Sequence, residues 1–81
     1  MTEILADAVL DMVAWFELVD DETLDPDLAV KALEQLAYHL HRLDGIDRAR
    51  FVEHARARAR AERDPRYRRT FEAVVDDLLA E

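Results

Sequence analysis

Eighty-one residues with no Cys, no Ser, one Gly, two Pro and a net charge of −8 leave few function classes open. Disulfides, thiolate metal ligands and Ser or Cys nucleophiles are excluded by composition, and a 51% apolar content argues against disorder. The charge is unevenly spread: residues 1–41 carry −9, residues 42–69 carry +5 with all ten Arg, and the remainder carries −4.

A chain of this size is expected to form one domain over residues 1–81, burying about 60% of its unfolded surface. The N-terminus has neither a basic n-region nor a continuous apolar stretch, so no signal peptide is expected and the chain reads as cytoplasmic. The first predicted element is a helix over about 2–19, with Thr2 as N-cap. Leu5, Val9, Met12, Phe16 and Val19 recur at 4-3-4-3 spacing, and Ile4, Ala8, Val13 and Trp15 widen that face. Glu3, Asp7 and Asp11 form an acidic ridge on the other side.

Residues 20–24 read as a loop. Asp25, Pro26 and Asp27 then form a strong start signal for a helix over 26–43. Its apolar face is Ala29, Leu33, Leu36, Leu40 and Leu43. Gly45 suits a left-handed position just past its end. A third helix is expected from Asp47 as N-cap to Arg63, with the thin apolar strip Phe51, Val52, Ala55 and Ala59, which makes it the weakest element. Asp64 and Pro65 repeat the cap-then-proline device and open a fourth helix over 65–80. Its face is Tyr67, Phe71, Val74, Val75, Leu78 and Leu79. Short connections imply antiparallel neighbours, so the predicted fold is all-α, a small antiparallel four-helix (3+1) bundle. The expected core is Leu5, Val9, Met12, Phe16, Leu33, Leu36, Leu40, Phe51, Phe71, Val74 and Leu78.

Two charged surfaces are candidates for function. Glu3, Asp7, Asp11, Glu17, Asp20, Asp21 and Glu22 make a negative field that would speed encounter with a basic partner, as in immunity proteins, antitoxins and nucleic-acid mimics. The alternative for that surface is a solvated face that keeps a small protein soluble. Arg56, Arg60 and Arg63 lie at i, i+4 and i+7, and Arg66 and Arg69 extend them, with Tyr67 available for stacking. This is a possible nucleic-acid track. The competing reading pairs that Arg ridge with the acidic ridge of helix 1, within one molecule or across a homodimer. Arg66, Arg68 and Arg69 also stand at the start of their helix, against its dipole, so neighbouring carboxylates or a partner are expected to use them. Arg58 and Glu62 read as a surface pair.

No site for chemistry emerges. The acidic loop lacks the alternating ligands and central Gly of a calcium loop. His39 and His41 diverge on their helix, unlike a zinc pair at i, i+4, and His41 reads as half-buried. His54 neighbours Glu53 in sequence but not on its face. No catalytic, cofactor-binding or metal residues are therefore assigned, and the expected activity is non-enzymatic. Trp15 and Tyr38 are the candidate interface anchors, with Leu10, Leu18 and Leu28 as exposed apolar positions beside them.

The run from Asp25-Pro26-Asp27 through Leu33-Glu34-Gln35-Leu36-Ala37, continued by Leu40, Leu43, Arg48, Phe51 and Val52, resembles a recurring pattern in small uncharacterised bacterial helical proteins. The resemblance covers roughly residues 16–62. It implies a bacterial, cytoplasmic helical domain, and no functional residue is carried over from it.

Overall fold

A computed structural model describes residues 3–78, with Leu78 described by its backbone alone. The predicted N-cap Thr2 and the helix 4 residues Leu79 and Glu81 lie outside the described residues. The described chain is all-helical: α1 Glu3–Leu18, α2 Pro26–His41, α3 Gly45–Ala61, α4 Pro65–Ala73, then a π-helical segment Val74–Leu78. No strand occurs among the described residues. The radius of gyration of 12.3 Å is that of a compact chain of this length.

Local cap chemistry sets three of the four starts. The Asp25 side chain accepts the Asp27 N–H at 2.8 Å, and Pro26 occupies the first turn, where its missing donor costs nothing. Asp64 accepts the Arg66 N–H at 2.9 Å ahead of Pro65. The start of α3 differs from expectation. Its N-cap is Asp44, which accepts the N–H of Asp47 at 2.8 Å, so Asp47 lies inside the first turn. Gly45 consequently opens α3 with an ordinary negative φ, and the left-handed position assigned to it does not form. α2 stops at His41, two residues early, while Leu43 still packs against the core from the turn.

The core gathers Ala6, Leu10, Val13 and Ala14 of α1, Leu40 of α2, Phe51, Ala55 and Ala59 of α3, and Phe71 and Val74 near the C-terminus. Val9, Leu33, Leu36, Leu43, Val52 and Val75 pack around it. α1, α3 and α4 pack against one another, whereas α2 leans chiefly on α1. The thin strip of α3 was expected to make it the weakest element, yet it places Phe51, Ala55 and Ala59 in the core. Ala55 and Ala59 let neighbouring backbones approach closely, so α3 contacts α1, α4 and the π-helical segment together.

The buried face of α1 is not the predicted one. Leu5 and Met12, assigned to the core, are 57% and 49% exposed, while Leu10, assigned to the surface, is completely buried. The cause is composition: outside its four acids α1 is wholly apolar, so periodicity alone did not fix which side turns inward. Neighbours chose the side carrying Ala6 and Ala14, whose small side chains admit a close helix. Leu18 is partly buried, and Leu28 is exposed as expected.

Candidate protein-docking surface

The acidic ridge of α1 is split by what it meets. Asp7 and Asp11 face α3, 47 and 51 residues further along the chain. His54 Nε2 lies 2.7 Å from Asp7 Oδ1, and Arg58 Nη1 donates to Asp7 at 3.3 Å and to Asp11 at 2.9 Å. Arg58 also lies over the Phe71 ring, 4.6 Å from its centroid, and so ties α1, α3 and α4 at one point. The hydrogen bond from His54 and the positive charge of Arg58 hold the Asp7 carboxyl below the usual carboxylate value. The expected Arg58–Glu62 pair is absent. Glu62 instead caps the turn, accepting the backbone N–H groups of Arg63 and Asp64 at 3.1 Å.

The acids beyond Asp11 are different. Glu17, Asp21 and Glu22 are exposed and make no ion pair among the described residues. Asp20 accepts the Thr23 N–H at 2.7 Å; hydrogen bonding from the Thr23 side chain and backbone lowers its pKa and closes the loop without supplying a cation. Asp25, Asp27 and the 54%-exposed Leu28 continue this surface into the first turn of α2. Glu3 is likewise exposed and unpaired among the described residues.

The Arg residues divide similarly. The three at the start of α4 turn to their own loop. Arg66 meets Asp64 at 3.0 Å, Arg68 donates to the Glu62 carbonyl at 3.2 Å, and Arg69 donates to the Pro65 carbonyl at 3.2 Å. The Arg66 contacts depress the Asp64 pKa. Arg56, Arg60 and Arg63 are exposed, and their guanidinium groups have no partner among the described residues. Within the molecule the ridge they form therefore does not answer the acidic ridge; that role belongs to His54 and Arg58, on another face of α3, which sequence reasoning missed. Their i, i+4 spacing was the available signal.

Of the two candidate anchors, Trp15 is 49% exposed and packs edge-on against Phe16, with ring centroids 5.2 Å apart. Tyr38 is 63% exposed, with Arg42 5.7 Å from its ring centroid. His41, expected half-buried, is exposed, and its carbonyl accepts from Arg48 at 2.7 Å. The His54–Asp7 pair borders an open groove lined by Glu3, Arg50, Glu53 and Ala57. No hydroxyl or thiol side chain among the described residues lines that groove. Among the described residues, no group of three or more His, Asp or Glu stands where a metal ion could be held. Nor is any described helix long and apolar enough to cross a membrane.

No family model, curated protein or solved structure matches this chain. Function must be argued from the surfaces themselves.

Proposed function

We propose that this chain is a non-enzymatic protein–protein interaction module, of the immunity, antitoxin or inhibitor kind, that docks its acidic helical side on a basic protein surface. The observation that carries this reading is where charge compensation stops. His54 and Arg58 meet Asp7 and Asp11, while Glu17, Asp20, Asp21 and Glu22 are exposed and make no ion pair among the described residues. An uncompensated cluster raises the on-rate and suppresses acidic partners, and Leu28 beside it supplies apolar contact. The docking site thus centres on the α1–α2 loop rather than on the whole ridge from Glu3. We assign the chain a bacterial, cytoplasmic setting and an antiparallel 3+1 arrangement, with α2 as the added helix.

The test uses the chain as immobilised bait, alongside an Asp20→Asn, Asp21→Asn, Glu22→Gln variant. Proteins retained at low salt and released at high salt by the parent should be lost from the variant. Equal retention by both would contradict the reading.

A second reading, nucleic-acid binding, is favoured by one fact: Arg56 and Arg60 are exposed and unpaired beside Arg68 on the α3–α4 surface. Glu72 on the same surface and the net charge of −8 oppose it. A mobility shift with single-stranded DNA at low salt, abolished by Arg56→Ala and Arg60→Ala together, would support it. No shift would remove it.

A further inference from the structure

α1 has two apolar sides, of which one is buried by its neighbours and the other remains largely exposed. The inner side, Ala6, Leu10, Val13 and Ala14, lies in the core. The outer side carries Ile4 at 79% exposure, Leu5 at 57%, and Met12 and Trp15 each at 49%, with Ala8 exposed between them. Leu5, Ala8, Met12 and Trp15 follow one another at steps of 3, 4 and 3. That is the spacing of a seam between paired helices rather than of scattered surface residues. Val19 continues the spacing at partial burial.

We infer that this outer seam is a self-association surface, on which α1 of a second copy packs antiparallel to the first. Three observations select a second copy as the occupant. The first is charge. Glu3, Asp7 and Glu17 of α1 lie off the seam at their helical positions, and Asp11, at its edge beside Ile4 and Trp15, already meets Arg58. Two such seams therefore meet with no carboxylate at their centre, and the Asp11 at each edge is compensated by its own Arg58.

The second is shape. In an antiparallel pair centred between Ala8 and Met12, Met12 of each copy lies over Ala8 of the other, and Trp15 lies over Leu5. Large side chains meet small or flexible ones, and the contact is self-complementary, as a two-fold interface requires. The third is area. The exposed seam amounts to on the order of 500 Å² per copy, or about 1,000 Å² for a pair, the lower bound for a specific interface. A membrane surface is disfavoured as occupant, because an interfacial helix carries Lys and Arg on its polar face and α1 has neither.

This inference goes beyond the proposed function, since it uses the outer face of α1 and not the acidic loop, and it needs no foreign partner. Sedimentation equilibrium of the full chain over the micromolar range tests it. The weight-average mass should rise from the 9.4 kDa of one chain to twice that and should persist at high salt, because the seam is apolar. Ala8→Glu and Met12→Lys both change exposed helical positions to residues of good helix propensity, so the fold should survive, as far-UV circular dichroism would verify. Each should weaken the dimer at least about tenfold. The Asp20→Asn, Asp21→Asn, Glu22→Gln variant should dimerise like the parent, which separates this claim from the docking site. A single-chain mass at every concentration would overturn the inference. So would a dimer that salt dissolves and Ala8→Glu leaves intact, or a chain that binds lipid vesicles without forming a dimer.

Discussion

Leu5 and Leu10 stand five residues apart on one helix, yet one is 57% exposed and the other fully buried. The inner face of α1 meets the close-approach alanines and aromatics of α3 and α4; on the outer face Ile4, Leu5, Met12 and Trp15 stay largely exposed. The same division runs through the charges, since Asp7 and Asp11 have cationic partners on α3 whereas Glu17 and the loop acids make no ion pair among the described residues. Hydrophobicity and charge thus do not by themselves say which residues build the fold. On α1, what separates structural from available residues is whether α3 and α4 supply a complementary group opposite them.

The comparison can be broken most forcefully at the core. Leu10→Ala should destabilise the chain by about 2–5 kcal/mol, a large share of what a domain of this size possesses. Leu5→Ala, studied at concentrations too low for self-association, should change stability by less than about 0.5 kcal/mol. Urea denaturation of the two variants side by side checks the pair. Similar losses in both would mean that the outer face belongs to the core.

Arg58 offers a sharper cut, because it serves packing and charge together. Arg58→Ala removes the stack on Phe71 and both carboxylate contacts, and should cost about 1–2 kcal/mol. Arg56→Ala, two residues away but exposed and unpaired among the described residues, should leave the denaturation midpoint nearly unchanged. Equal effects would dissolve the distinction between the two faces of α3.

The smallest effect is the acid limb of stability. The Asp7 carboxyl is held below its ordinary value of 3.8, chiefly by its hydrogen bond to His54 and with help from Arg58. Its stabilising contribution is therefore fully present above that ordinary value and is lost as pH falls through the lower folded-state value. Asp20 and Asp64, depressed by Thr23 and Arg66 respectively, act with the same sign. Thermal melts between neutral pH and pH 3 should fall less steeply for Asp7→Asn than for the parent. A steeper fall in the variant would reverse the sign argued here.

Much of the secondary structure was legible because its signals are local. Asp25–Pro26 and Asp64–Pro65 announce helix starts through chemistry spanning three residues, and both form as read. At Asp44-Gly45-Ile46-Asp47 two caps competed, and the one three residues earlier won, turning an expected helix stop into a helix start. The face of α1 was illegible for a different reason: a helix apolar on both sides has no preferred orientation until its neighbours are known. The Asp7–His54–Arg58 junction was hidden because its members lie about fifty positions apart. The acidic run of the α1–α2 loop, by contrast, is visible in the charge distribution of the sequence itself.

The outer face of α1 is the centre of this account, and Trp15, the only Trp in the chain, reports on it directly. In a dilution series of the full chain, its emission should be blue-shifted at high concentration and move to the red as the pair separates. Ala8→Glu should emit at the red position throughout. Emission that stays constant across the series in the parent chain would contradict the claim that a second copy covers this face.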